Sequence, residues 1–245
     1  MSELTKPAAA LYMIPVTMSD ASPEDVLPRQ VIDILPQLHY FIVENLRTAR
    51  RFLRRVHRSI DIDSITFFEL GKHTDMKDLP SFLEPLKRGE AIGVMSEAGC
   101  PGIADPGALA VAEAQRLGLK VVPLVGPSSI LLSLMASGFN GQSFFFHGYL
   151  PIDSAARVKA LKDMEADTLR HGTTHIFIET PYRNNRLIES LGSTLRPSTM
   201  VCVAAGITDP DKERILTLPA SKWRSCSTDY SGIPTIFLIG TTTYK

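Results

Sequence analysis

Short apolar runs suited to buried strands alternate with segments of helical period along almost the whole chain, and this alternation restricts the fold more than any other feature. Strand candidates are residues 10–16, 39–44, 64–70, 91–96 and 120–125. Helix candidates at 28–36, 47–57, 80–88 and 107–117 fall between them. Regular exchange of the two periods predicts an α/β domain with a largely parallel sheet.

A second series follows the first. It runs helix 128–137, strand 143–150, helix 154–170, strand 175–180, helix 183–195 and strand 200–206. After that the pattern changes: "ERILTLPASKW" (213–223) and "PTIFLIG" (234–240) read as strands with no long helix between them. An antiparallel edge on a mixed sheet is the expectation. The reading is two α/β domains, 1–124 and 125–245, joined at "PLVGPSS" without a low-complexity linker.

Lys plus Arg and Asp plus Glu number 26 each, so no global field advertises nucleic acid or membrane. Any such affinity must come from a local face. No apolar run approaches the roughly 20 residues of a membrane span, and the N-terminal stretch has no secretory layout. Cys100, Cys202 and Cys226 lie far apart and form no CxxC. These features together predict a reducing, cytoplasmic setting. The histidines show no HExxH and no zinc-type spacing, so no metal is expected.

The segment "SEAGCPGIADPG" (96–107) separates a strand from a helix by more residues than most such connections use. Gly99, Gly102 and Gly107 let the backbone turn tightly and meet a ligand without a Cβ in the way. Asp105 is expected to cap the following helix. The loop contains neither GxxxxGK[ST] nor GxGxxG, which removes the P-loop and the Rossmann dinucleotide fingerprint. Composition alone leaves open a demanding loop with no ligand.

The segment also resembles the S-D-A-G-x-P-x-I-S-D-P-G signature of the tetrapyrrole methylase superfamily, the class III S-adenosylmethionine (SAM) methyltransferases. Within it, the chain looks most like the branch that methylates a ribose 2′-hydroxyl of small-subunit ribosomal RNA. "VPLVGPSSILLSLMASG", "FFFHGYLP" and "IFIETPYR" resemble further motifs of that branch in the right order, and the resemblance spans roughly residues 10 to 240. It implies two α/β domains with SAM in the cleft between them, in a homodimer. Carried over by position, it implies cofactor contacts from Pro15, Ser96, Glu97, Ala98, Gly99 and Ile103, and from Ser128 and Ser129. Leu150, Glu179, Thr180, Ala204, Ala205, Pro234 and Thr235 complete the implied set.

The acceptor side departs from the branch. The first loop, "MIPVTMSDASPEDV", keeps its proline and lacks Gly-Asn; "VENLR" keeps Glu44 and Arg47 and lacks Asp-Thr. "TFFELGKHTD" disrupts a histidine pattern, and "AAGITDPDKER" has Ala-Gly in place of Arg-Glu. Against this, "RTARRFLRRVHR" places Arg47, Arg50, Arg51, Arg54, Arg55 and Arg58 at helical spacings, with Phe52, Leu53 and Val56 facing inward. Arg47, Arg50, Arg51 and Arg54 are the candidate RNA contacts, though a solvated helix face is the alternative. For the proton of a ribose hydroxyl, Glu44, Glu97, Glu69 and His73 are candidates by position alone. Three activities remain open: methylation of ribosomal RNA or a ribosomal subunit, methylation of a tetrapyrrole-like molecule, or SAM binding without transfer.

Overall fold

The computed structural model describes residues 7–71 and 74–242. The chain divides into two compact units, residues 1–128 and 129–245.

The first unit contains β1 (Leu11–Met13), α1 (Pro23–Val26), α2 (Arg29–Ile34), β2 (Tyr40–Val43), α3 (Leu46–Val56) and β3 (Thr66–Glu69). α4 (Leu79–Phe82), α5 (Glu84–Lys87), β4 (Ile92–Met95), α6 (Gly107–Arg116) and β5 (Val121–Pro123) follow. Its five strands are ordered β3-β2-β4-β1-β5, and every pairing is parallel. Successive side chains of a strand point to opposite faces, and both faces here are covered. Tyr12, Ile14, Phe41 and Val43 pack with Val31, Leu35, Phe52 and Leu53 on one side. Leu11, Met13, Ile42, Ile92 and Val94 pack with Leu79, Leu83, Leu86 and Ala110 on the other. Burial on both faces is why these strands read as unbroken apolar runs.

The second unit contains α7 (Ser129–Ser137), β6 (Phe144–Tyr149), α8 (Ser154–His171), β7 (Thr174–Ile178), α9 (Asn184–Thr194) and β8 (Met200–Ala205). β9 (Arg214–Pro219), α10 (Ala220–Trp223) and β10 (Thr235–Gly240) complete it. Its sheet is ordered β6-β7-β10-β8-β9, with β6 and β7 parallel and the other neighbours antiparallel. Phe177, Val201, Val203 and Phe237 pack beneath Leu161, Leu187, Leu191 and Trp223. α8 starts at Asp153, whose carboxylate accepts from the Ala156 amide at 2.8 Å, and stops at Gly172 in the left-handed region, φ 73°.

Four local expectations are corrected. The helix read at 80–88 is two short helices meeting at Leu83, with Pro80 and Pro85 in their first turns. The strand read at 213–223 ends at Pro219 and becomes α10, where the Trp223 indole donates to the Val201 carbonyl at 3.0 Å. Only β9 is an antiparallel edge; β10 lies inside the sheet between β7 and β8. Pro106, not Asp105, occupies the cap position of α6. Asp105 braces the loop instead, accepting from the amides of Gly102 at 2.9 Å and Gly107 at 2.7 Å.

Candidate functional site

The strand order fixes where the first unit has a crevice. The chain leaves β1 toward β2 on one side, whereas it leaves β4 toward β5 on the other. β1 and β4 are neighbours, so the sheet changes direction of travel between them. Ligands of open parallel sheets bind beyond the carboxyl ends of strands at such a point. Residues 96–106, the connection from β4 to α6, begin there.

Three loops are pinned together at this edge. The Val16 amide donates to the Gly99 carbonyl at 2.9 Å, and the Ile14 amide to the Val94 carbonyl at 2.9 Å. The Cys100 thiol donates to the Pro127 carbonyl at 3.3 Å, joining the loop after β5; burial pushes that thiol's pKa up. Gly99 has φ 70°, and a Cβ there would sit 3.2 Å from the Pro127 carbonyl oxygen. The sequence therefore needs glycine at 99 for both backbone conformation and clearance. Pro15 is buried, Ser96 half-buried with its hydroxyl 3.2 Å from the Ala98 carbonyl, and Gly99 buried. Glu97, Ala98 and Ile103 are exposed.

α3 abuts this edge. Asn45 caps it, accepting from the amides of Arg47 at 2.9 Å and Thr48 at 3.2 Å. The Thr48 hydroxyl lies 3.4 Å from Glu97 Oε1. As the spacing predicts, Phe52, Leu53 and Val56 are buried, together with Ala49. Leu46, Arg47, Arg50, Arg51 and Arg54 line an open groove of about 430 Å³. Arg55 belongs to a different structure: its guanidinium donates to Thr17 Oγ1 and lies 3.6 Å from Asp20, holding the loop after β1. Of the proton-acceptor candidates, half-buried Glu44 follows β2, which neighbours β4, and Glu97 lies on the loop. Glu69 ends β3, with β2 between it and β4. His73 lies outside the described residues.

In the second unit, the ends of β6, β7 and β8 and the start of β10 share one edge of the sheet, since β10 runs opposite to β7 and β8. Leu150, Glu179, Thr180, Ala204, Ala205, Pro234 and Thr235 are thereby gathered there. Glu179 is buried and occupied: it accepts from the Thr180 amide at 2.6 Å and pairs with Arg183 at 2.8 Å. Ala204 and Ala205 are buried opposite Ile236 and Thr235. Ser128 ends the first unit and Ser129 begins α7.

Two polar features have no local sequence signal. The Asn184 amide group donates to Tyr230 O at 3.0 Å, Ile233 O at 2.7 Å and Thr235 Oγ1 at 3.0 Å, fixing the approach to β10. A chain of side chains also links Asp167 on α8, His175 on β7 and His147 on β6. His175 Nε2 is 3.0 Å from Asp167 Oδ2, and His175 Nδ1 is 2.8 Å from His147 Nε2. Burial pushes the His147 pKa down to about 4 and lowers that of His175.

The first-unit edge offers both charge and apolar surface. Glu97 offers an exposed carboxylate, Ala98 is exposed beside it and Ile103 offers apolar surface, whereas Gly99 is buried with its carbonyl held by the Val16 amide.

Comparison with known proteins accords with this arrangement. No protein-family model matches the chain. The ribosomal RNA small subunit methyltransferase I of Vibrio cholerae is 31% identical over 201 residues, covering 82% of this chain and 66% of that protein. The protein of the same name from Escherichia coli O157:H7 is 30% identical over 198 residues, covering 81% and 65%. The chain thus spans slightly less than two thirds of the length of these relatives. The crystal structure of the methyltransferase CobJ shares the fold, with a TM-score of 0.57 at 17% identity over 89% of each chain. The chain is therefore similar, over about four fifths of its length, to ribosomal RNA small subunit methyltransferase I proteins, and it shares its fold with a solved methyltransferase.

Proposed function

We propose that the chain is a SAM-dependent methyltransferase whose acceptor is small-subunit ribosomal RNA, at a ribose 2′-hydroxyl. The observation that carries this reading is the Gly-rich loop at the point where the strand order reverses, beside a groove lined by arginines. The sequence relatives, ribosomal RNA small subunit methyltransferases by name, suggest the acceptor class. Pro15, Ser96, Glu97, Ala98, Gly99 and Ile103 hold the cofactor in this reading, with Ser128 and Ser129. Leu150, Glu179, Thr180, Ala204, Ala205, Pro234 and Thr235 are proposed contacts on the resemblance alone.

SAM supplies an activated methyl group, so an in-line displacement needs alignment more than it needs a metal. Glu97 offers its carboxylate either to the cofactor's positive charge or to the acceptor proton. Glu44 is the second candidate for the proton. The two glutamates are separable: loss of SAM affinity in Glu97→Gln marks a ligand, and an unchanged affinity with a slower transfer rate marks a base.

A cytoplasmic homodimer is part of the proposal, tested by localisation of a tagged chain and by light scattering. Among the described residues, no helix is long and apolar enough to cross a membrane. The decisive activity assay follows labelled methyl from SAM into small-subunit RNA, free or assembled, with a tetrapyrrole as competing acceptor. Label in ribose supports the proposal; label in the tetrapyrrole overturns the acceptor. The altered acceptor-side segments favour one other reading, SAM binding without transfer, for which tight binding and no labelled product is the signature.

A further inference from the structure

We propose that the groove on α3 is a track for the phosphodiester backbone of unpaired RNA, leading the strand to the Gly-rich loop. The inference rests on the methyltransferase reading and specifies how its substrate is held.

Several arginines elsewhere in the molecule are held by carboxylates. Arg29 pairs with Asp33 at 2.8 Å, Arg116 with Glu113 at 2.6 Å and Arg183 with Glu179 at 2.8 Å. These are ordinary solvated or locking pairs. Among the described residues, Arg47, Arg50, Arg51 and Arg54 form no ion pair with an acidic side chain. They converge with Leu46 on one groove of about 430 Å³, in a chain whose formal net charge is zero. Positive charge is thus concentrated locally, where it can focus a field on an anion.

Geometry narrows the anion. Arg47 and Arg54 are seven residues apart, about 10 Å along the helix axis. That length suits a few successive phosphates of one strand, not the two backbones of a duplex. Arginine forks match phosphate oxygens, which favours this composition over lysine. The Arg50 guanidinium lies 5.4 Å from the Phe67 ring centroid, a cation–π contact that orders it before any ligand arrives. The contact between Thr48 and Glu97 ties the first turn of α3 to the Gly-rich loop, so one end of the groove opens at the proposed cofactor site. Arg55 is not part of the track, because it holds the loop after β1.

The test is fluorescence anisotropy with a short unstructured RNA oligonucleotide, titrated from about 50 to 200 mM salt. Three or four phosphate contacts predict a log–log salt slope of roughly −2 to −3 for a single strand. The double variant Arg51→Gln/Arg54→Gln replaces exposed side chains, so its melting curve should match the parent's. It should bind at least about tenfold more weakly at low salt and lose roughly 1.4 from the slope. Lys159→Gln, an exposed change on α8, should leave both unchanged.

An unaltered slope in the double variant overturns the track. Equal binding of a duplex RNA overturns the single-strand assignment, and preferential binding of anionic lipid vesicles, lost in the same variant, overturns RNA as the ligand. SAM titration of the same proteins separates the two proposals. RNA binding through the arginines with no SAM binding removes the methyl-transfer reading and leaves the track standing.

Discussion

Gly126 packs against the ring of Pro15, and a Cβ there would fall 2.1 Å from Pro15 Cβ and 2.3 Å from its Cγ. Both atoms belong to a rigid ring next to the backbone, so the clash cannot be relieved by a rotamer change. Gly126→Ala should destabilise the protein by about 1–3 kcal/mol in urea unfolding, with a several-fold loss of SAM affinity. The histidine chain makes a second prediction at this scale. Both His147 and His175 have folded-state pKa values depressed mainly by burial, and Asp167 opposes that shift. A depressed histidine takes up its proton more readily when unfolded. Stability is therefore full above the ordinary value of 6.5 and declines as the pH falls toward about 4, the folded value of His147. Melting temperature should fall over that window, and His147→Gln should flatten the decline; an equally steep decline in the variant would count against the chain as its source. Neither feature was legible in the sequence. Pro15 and Gly126 are far apart along the chain, and His147 is well removed from Asp167 and His175, so only folding brings each set together.

α3 is the element whose sequence says most. Its arginines and its apolar residues separate onto two faces at helical spacing, so the buried side could be named from the sequence. Leu53→Ala, at a fully buried position, should cost about 2–5 kcal/mol in urea unfolding. Arg55→Ala should leave the salt slope of RNA binding intact while weakening SAM binding several-fold, because it frees the loop around Thr17 and Asp20. A reduced slope in that variant would put Arg55 back on the track. Other elements were less legible for stated reasons. α10 continues directly from β9, and its direction is set by burial of Trp223 and the bond from its indole, both tertiary effects. The division between α4 and α5, by contrast, did carry a local signal, since Pro85 cannot continue the hydrogen bonding of a helix begun at Leu79.

At the scale of the whole molecule, alternating periods were enough for an α/β class, and the loop's glycines and prolines marked the place where we propose that backbone meets ligand. Strand order was beyond that reading. Insertion of β4 between β2 and β1, and of β10 between β7 and β8, depends on which strands find each other in space. It is the first of these insertions that makes a Gly-rich connection the candidate site, since it places that loop where the chain's direction of travel reverses. If SAM binds there, saturation at about 100 times Kd should add roughly 2.7 kcal/mol to stability, visible as a concentration-dependent rise in melting temperature. The central claim is met most directly by calorimetric titration of SAM into the intact protein and into Gly99→Val, with a melting curve for each. Valine at φ 70° is strained and crowds the Pro127 carbonyl. Binding to the parent that is lost in a still-folded variant is the predicted result; no binding by the parent, or undiminished binding by the variant, would contradict the account.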